Sequence, residues 1–154
     1  MWMGKQSQGE SLWGPLRRYV PKAAFGYVEE LLNREVIYLK VTRPKKSRAG
    51  LYFYDEKCGR HVIYINGNLD RYNFLITLVH EYAHLVVRRQ YGKAVKPHGV
   101  EWKRAFAGLM RPLLRVEVFP EEIVKLLALH MRNPMATHFR DQELLSVIKK
   151  YQQH

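Results

Sequence analysis

The chain has 154 residues, and its 26 Lys and Arg residues against 14 Asp and Glu residues give it a formal net charge of +12. Because 47% of the residues are hydrophobic and 12% are aromatic, the chain can bury one sizeable core, which excludes disorder as its main state and predicts one domain. The single cysteine, Cys58, excludes an internal disulfide framework and a zinc site built from several thiolates, so a metal ion would need His or carboxylate ligands.

The first half of the sequence predicts one helix followed by three strands. Pro21 opens a segment with apolar residues at helical spacing, which predicts a helix that ends near Asn33. Three segments rich in β-branched and aromatic residues follow, separated by turn-like residues. The predicted strands cover residues 36–42, 51–54 and 61–65, and the last two are expected to form a hairpin.

The second half of the sequence predicts four helices. Asp70 can cap a long helix, and Gly92 supplies its stop. A second helix is predicted over Val100–Met110, a third after Pro120, and a short one over residues 141–151. This order is typical of an α+β fold, in which a small sheet of three or slightly more strands, antiparallel or mixed, packs against helices.

No stretch of the sequence predicts a membrane anchor. The central apolar run over residues 72–79 is far shorter than the roughly 18 residues that a membrane-spanning helix needs. Arg17 and Arg18 directly follow the apolar residues 12–16, which leaves no apolar stretch of signal-peptide length. The expected location is the cytoplasm. If the positive charge binds nucleic acid, the protein is expected to associate with the nucleoid or chromatin.

The most informative segment lies within the predicted long helix, where residues 80–84 form an H-E-x-x-H motif. Histidines four residues apart lie on one face of a helix, so His80 and His84 can both reach one metal ion. Glu81 shares that face and can accept a proton from a metal-bound water without being a ligand itself. Bound zinc lowers the pKa of such a water to about 7 and polarises a carbonyl group, which is the arrangement for peptide-bond hydrolysis.

A polar stripe on the same helix strengthens this prediction, because the rest of the helix is apolar or aromatic. The stripe consists of Asn73, Thr77, His80, Glu81, His84 and Arg88. Burying such side chains without partners is costly, and a metal ion in a cleft would supply the partners. The alternative interpretation is a pair of surface histidines on an amphipathic helix.

A catalytic zinc takes three protein ligands, so a third ligand must come from elsewhere in the chain. The position six residues after His84 is Gln90, which excludes the metzincin pattern. The remaining candidates downstream are Glu101, Glu117, Glu121, Glu122, His98, His130, His138 and His154. We favour His98, because Pro97 stiffens the approach to it, Gly99 lets the backbone turn sharply, and the next helix follows at once. The alternative for His98 is an exposed loop histidine.

Two segments together resemble the SprT-like metalloprotease family, which includes the Spartan proteases that degrade proteins crosslinked to DNA. They are the H-E-Y-A-H sequence of residues 80–84 and the K-P-H-G-V-E-W-K sequence of residues 96–103. An H-E-x-x-H motif alone occurs in many zincins, whereas an H-G-x-x-W-K segment at this distance is characteristic of SprT-like domains. The resemblance implies that His80, His84 and His98 bind one catalytic zinc ion and that Glu81 is the general base.

The same resemblance implies the organisation of the chain. A minimal zincin-like SprT-like metalloprotease domain is expected over residues 15–115, with the C-terminal helices of residues 116–154 packed on the same domain. The strand around residues 62–66 is expected to border the substrate groove. Many members carry a zinc ribbon with four cysteines, which Cys58 alone cannot build. Any contact with nucleic acid is therefore expected from the catalytic domain itself.

The positive charge predicts a nucleic-acid surface formed by lysines and arginines interleaved with aromatic residues. Each half of the chain, cut after residue 77, has 13 basic and 7 acidic residues, so the charge belongs to the whole domain. The candidate contacts to single-stranded or structured DNA are Lys45, Lys46, Arg48, Arg88, Arg89, Lys93 and Lys96. The alternative is a solvated charged face that keeps the protein soluble. Trp13 and Trp102 are expected to be core aromatic residues.

The sequence therefore supports two hypotheses from different classes. The favoured one is a zinc-dependent endopeptidase of the SprT-like type, whose protein substrates are associated with or crosslinked to DNA. The alternative is a non-catalytic, zinc-containing protein that binds nucleic acid or has a regulatory role. Glu81 distinguishes the two, because a structural zinc site has no need of a general base beside a metal ligand.

Overall fold

The computed structural model describes residues 2–3, 12–44 and 48–152 and shows an α+β fold. The strands are β1 (Trp2–Met3), β2 (Ile37–Thr42), β3 (Gly50–Asp55) and β4 (Arg60–Asn66). The helices are α1 (Phe25–Asn33), α2 (Arg71–Tyr91), α3 (Val100–Met110), α4 (Glu121–His130) and α5 (Gln142–Lys150). Short 3₁₀ turns cover Gly14–Arg18, Lys22–Ala24, Arg111–Leu113 and His138–Arg140. The predicted α+β class and the predicted order of elements are confirmed.

The sheet is mixed, with the strand order β1-β2-β4-β3. Strands β3 and β4 form the predicted antiparallel hairpin, in which Tyr52 lies opposite Ile63. Strand β2 runs parallel to β4, with Leu39 opposite Ile63. Strand β1 pairs with β2 over only two residues and was not expected from the sequence, because so short a segment has no periodicity. Strand β3 is therefore an edge strand, and β4 is internal.

Helix α2 is the central element, and its two ends follow local rules of sequence. The Asp70 carboxylate accepts hydrogen bonds from the backbone N–H groups of Tyr72 and Asn73, each at 3.1 Å, which caps the helix start. Gly92 ends the helix with φ = 68°, a left-handed conformation that favours glycine. Both predicted ends of the helix are confirmed. Within the described ranges, no helix combines the length and the apolar character that a bilayer crossing needs.

One hydrophobic core joins the sheet and the helices. Trp13 and Trp102 are 1% and 0% exposed, which confirms that both are core residues. The Tyr82 hydroxyl on α2 donates a hydrogen bond of 2.7 Å to the Leu31 carbonyl, which fixes α2 against the end of α1. The sheet and the surrounding helices thus hold α2 from several sides, and the polar stripe of α2 from Thr77 onward faces a cleft.

Buried polar residues tie the segment before α5 to the start of α2. Asn73 Nδ2 donates to Asp70 Oδ1 at 2.6 Å, which leaves Asn73 Oδ1 to accept a 2.8 Å hydrogen bond from His138 Nε2. His130 Nδ1 lies 2.9 Å from Asp141 Oδ2. These contacts place His138 in the wall of the cleft, 65 positions away from its partner in sequence.

The burial of His138 predicts a measurable loss of stability in acid. Burial lowers the pKa of His138 to about 3, an effect that nearby His130 reinforces and Asp141 opposes. The unfolded chain binds this proton below about pH 6.5, so the free energy of unfolding falls as the pH drops from there toward 3. At pH 5, the expected contribution of His138 is a loss of about 2 kcal/mol relative to pH 8.

The variant His138→Gln should remove this contribution, because glutamine can still donate to Asn73 but does not titrate. Urea unfolding at pH 8 and pH 5 in a buffer with chelator, which keeps metal binding out of the measurement, gives the two free energies. We expect the difference between them to be about 2 kcal/mol smaller in the variant. An unchanged difference would show that His138 does not stay neutral in the folded protein.

Candidate metal centre

Three histidines converge at one wall of the cleft. His80 and His84 lie one turn apart on α2, and His98 lies in the connection between α2 and α3. His98 Nε2 is 3.1 Å from His84 Nε2 and 3.2 Å from His80 Nε2. We call these three residues the histidine cluster. It is the only group of three or more potential ligands with this geometry in the described part of the chain.

The backbone of His98 turns in a way that differs from the sequence-based expectation. Gly99 was expected to supply the sharp turn, but its φ of −77° is ordinary. The turn lies at His98, whose φ of 62° is in the left-handed region that few non-glycine residues adopt. This conformation directs the imidazole back toward α2 immediately before α3 begins at Val100. Backbone strain of this kind occurs often at functional sites.

Trp102 supports all three histidines, a role that the sequence did not predict. Its ring centre lies 4.7 Å from those of His80 and His98 and 5.5 Å from that of His84. Its Nε1 donates a hydrogen bond of 3.3 Å to the His80 carbonyl. Trp102 follows His98 by one helical turn, so the spacing within residues 96–103 was the available signal. This core residue therefore also sets the orientation of the cluster.

The three imidazoles are neutral at neutral pH. Burial, reinforced by the neighbouring His84 and His98, lowers the pKa of His80 to about 2. Burial also lowers the pKa of His84 to about 4, with a contribution from His98, and it lowers the pKa of His98. Neutral imidazole is the form that ligates a metal ion, because its unprotonated nitrogen carries a free lone pair.

The histidine cluster fits a tetrahedral zinc ion. Zinc–nitrogen bonds of 2.0–2.1 Å at tetrahedral angles separate two ligand nitrogens by about 3.3 Å. The Nε2 separations of 3.1 and 3.2 Å are close to this value. Three neutral nitrogen donors also match the ligand sets of catalytic zinc sites, which keep a fourth position open. The residues present could thus hold a metal ion of this kind.

Glu81 lies beside the cluster and faces the same cleft. Its Oε2 atom is 3.7 Å from His80 Nε2, and the residue is only 7% exposed. Burial raises the pKa of Glu81 to about 8, and the nearby Arg48 guanidinium opposes this shift. A divalent cation held by the cluster would favour the carboxylate form, because a nearby positive charge lowers the pKa of a carboxyl group. Glu81 is therefore placed to exchange a proton inside the cleft.

The main cleft has a volume of about 840 Å³ and contains the histidine cluster and Glu81. Its other walls are the start of β3, the residues after α2 and the segment 136–139. The buried Thr77 hydroxyl also lines it and has no hydrogen-bond partner in the described residues. The expectation that residues 62–66 border this cleft needs correction, because β4 is internal and contributes only Asn66. Edge strand β3 forms this border instead.

The other candidate ligands lie outside the histidine cluster. Within the described ranges, no second group of ligands includes Glu101, Glu117, Glu121, Glu122, His130 or His138. His130 pairs with Asp141, and His138 bonds to Asn73. His154 lies beyond the described residues.

The predicted nucleic-acid contacts divide into three groups. Arg88 and Lys93 both pair with Glu56, at 3.6 and 2.6 Å, and Arg89 pairs with Glu35. Arg48 and Lys96 line the main cleft. Lys45 and Lys46 lie outside the described residues. The charge at the end of α2 is thus partly neutralised by two glutamates that are distant in sequence.

Comparison with known families gives one match. Residues 25–121 match the SprT-like family, and this range covers well over half of the chain and all of the histidine cluster. Comparison with curated proteins and with solved structures gives no significant match. The match agrees with the resemblance carried by residues 80–84 and 96–103. The chain belongs to the SprT-like family.

Proposed function

We propose that the protein is a zinc-dependent endopeptidase of the SprT-like type, with a zincin-like site, that acts on proteins associated with or crosslinked to DNA. The observation that carries this proposal is the joint position of three neutral histidine donors and a buried carboxyl group in one open cleft. His80, His84 and His98 would hold zinc. The chemistry that zinc supplies when bound is a pKa of about 7 for a coordinated water and polarisation of the scissile carbonyl.

The role of Glu81 in this reaction follows from its position beside His80. Its carboxylate accepts the proton of the attacking water and later passes that proton to the leaving amine. The nearly complete burial of Glu81 keeps bulk water away from this proton. Trp102 acts as a positioning residue, because it packs on all three histidines and has no group that could hold the metal ion or move a proton.

Edge strand β3 supports a polypeptide as the substrate. An extended peptide can add to the free edge of β3 through main-chain hydrogen bonds, next to Glu81 and the cluster. Thr77 offers a further hydroxyl inside the cleft. Such binding depends on the substrate backbone and suits an enzyme whose protein substrates vary in sequence. The net charge of +12 favours substrates that are bound to a polyanion such as DNA.

The alternative function is that of a non-catalytic protein with a structural zinc ion. Structural zinc sites are usually closed by four protein ligands. The cluster has three, and it opens on a cleft of about 840 Å³ in which no fourth ligand joins it from the described residues. An open position beside a buried carboxyl group favours the catalytic proposal.

The proposal is tested with zinc-loaded protein and two substrates, casein and histone, each with and without single-stranded DNA. We expect cleavage that stops with a chelator and returns when zinc is added back. Measured metal content should change in parallel with the activity. Absence of cleavage under all of these conditions, with one zinc ion bound, would favour the non-catalytic alternative.

A methyl group at Gly50 is expected to disturb the cleft. A Cβ atom there would lie 2.8 Å from Thr77 Cγ2, 3.1 Å from the Tyr64 carbonyl oxygen and 3.2 Å from Glu81 Cγ. Gly50→Ala should therefore push the start of β3 and Glu81 apart. We expect a loss of about 10-fold or more in cleavage rate and of about 1–3 kcal/mol in stability.

The matched control is Gly26→Ala on the exposed side of α1, where a Cβ atom meets nothing within 4 Å. This control should leave the cleavage rate unchanged and stabilise the helix by up to about 1 kcal/mol. Cleavage assays and thermal unfolding of both variants give the comparison. Equal effects of the two substitutions would mean that the close contact at Gly50 has no functional consequence.

A further inference from the structure

A second cavity of about 470 Å³ borders His98, which also lines the main cleft. Three cationic residues line it: Lys103 and Arg104 on α3, and Arg132 just after α4. No acidic residue contributes to its walls. The cavity therefore concentrates positive charge beside the histidine cluster.

The charges of the second cavity are not neutralised by the described residues. Lys103 Nζ donates a 2.7 Å hydrogen bond to Asn133 Oδ1, which is an uncharged partner. Arg104 and Arg132 form no ion pair with any carboxylate in the described ranges. Arg88, Arg89 and Lys93 differ in this respect, because Glu56 and Glu35 pair with them. Unpaired positive charge is thus available at the second cavity, whereas the charge at the end of α2 is paired.

His98 lines both the second cavity and the main cleft, so the two are adjacent at this residue. Lys96, two residues earlier, lines the main cleft and also has no acidic partner in the described part of the chain. A chain of negative charges could therefore contact Lys96 and then enter the second cavity. Cations at two adjacent places, Lys96 and the second cavity, suit a polyanion better than a single small ion.

We propose that the second cavity binds successive phosphate groups of a single-stranded nucleic acid, whose backbone continues past Lys96 at the mouth of the main cleft. Guanidinium groups bind phosphate oxygens in a bidentate manner, which Arg104 and Arg132 can supply. The cavity is concave, and a single strand can bend into it, whereas the phosphates of a duplex lie on a stiff cylinder. No Phe, Tyr or Trp side chain lines the cavity, so we expect binding to depend mainly on phosphate rather than on base stacking.

This site goes beyond the proposed peptidase activity and does not depend on it. It would hold a nucleic-acid strand within reach of the cleft and so bring proteins on that strand to the histidine cluster. The nucleic-acid contacts expected from sequence at Arg88, Arg89 and Lys93 would contribute less, because their charges are already paired.

The test measures binding of a labelled oligothymidine of about 15 nucleotides by fluorescence anisotropy over a range of salt concentrations. The test variant carries Lys103→Gln, Arg104→Gln and Arg132→Gln together. Three lost phosphate contacts should lower the salt slope by about 2 and the affinity at 0.1 M salt by about 100-fold. The charge-conserving substitutions Lys103→Arg, Arg104→Lys and Arg132→Lys should keep the salt slope of the original protein even where the lost bidentate geometry lowers the affinity, which separates charge from folding.

Two control variants remove the same amount of charge elsewhere. One carries Lys22→Gln, Arg111→Gln and Lys149→Gln, which line neither cavity, and the other carries Arg88→Gln, Arg89→Gln and Lys93→Gln. We expect only a few-fold loss of affinity from each, since the charges of the first set lie outside both cavities and those of the second set are already paired with glutamates. A loss equal to that of the test variant in either control would overturn the proposal.

Competitors distinguish the sources of negative charge. An unlabelled single strand should displace the probe at far lower concentration than inorganic phosphate or a polyglutamate peptide, and a duplex should compete less well. Displacement by polyglutamate at equal concentration would overturn the assignment to nucleic acid. All measurements are repeated with the Glu81→Gln variant. Cleavage without strand binding would reject this site alone, and strand binding without cleavage would reject the peptidase alone.

Discussion

Glu81→Gln is expected to lower the rate of substrate cleavage by about 10³-fold or more while the bound metal remains at the original level. Glutamine has nearly the same size and keeps the hydrogen-bonding shape, but it cannot accept and return a proton. Glu81 is not a member of the histidine cluster, so its substitution leaves the three nitrogen donors in place. Rate assays and metal analysis on the same preparation give both quantities.

The control for this experiment is Glu30→Gln, because Glu30 is an exposed carboxylate that pairs with Arg34 on the far side of α1. That substitution should change neither activity nor metal content. If Glu81→Gln retained most of the activity, Glu81 would not be the general base. Loss of metal together with activity would instead assign a structural role to Glu81 in the metal centre.

The fold was predictable wherever local chemistry determines an element. Helix α2 begins at an Asp70 cap and ends at Gly92, and both rules act within one turn of the chain. The β3–β4 hairpin follows for the same reason, because its partners are close in sequence. Strand β1 and the parallel pairing of β2 with β4 depend on contacts between distant segments. Propensity and periodicity carry no information about such pairings.

The residues of the candidate site likewise divide into those that local spacing predicts and those that only tertiary packing brings together. The positions of His80, Glu81 and His84 on one helix follow from their spacing alone. Thr77, three residues before His80, shares this helical spacing. Gly50 and His138 line the cleft with them, yet their proximity depends on the packing of β3 and the segment before α5 against α2. The neutralisation of Arg88 by Glu56 is likewise invisible in composition, because the two residues belong to different elements. A count of charges therefore overestimates the free charge at the end of α2.

His98→Ala is expected to weaken zinc binding by more than about 100-fold, since even residues that only support a metal ligand can contribute this much to affinity. His98 Nε2 lies 3.2 Å from His80 Nε2 and 3.1 Å from His84 Nε2. Competition with a chromophoric chelator at fixed pH measures the affinity. An unchanged affinity would remove His98 from the ligand set.

The φ of 62° at His98 calls for a second variant, because alanine is strained in this region and could relax the loop by itself. Asparagine tolerates the left-handed conformation but lacks an imidazole nitrogen. If His98 acts as a ligand, His98→Asn should lose zinc as fully as His98→Ala does. If only the loop conformation matters, His98→Asn should keep the metal. Two results together would therefore identify the His98 imidazole as the third ligand. Both variants should lose zinc, and the zinc-free His98→Asn variant should be as stable as the zinc-free original protein.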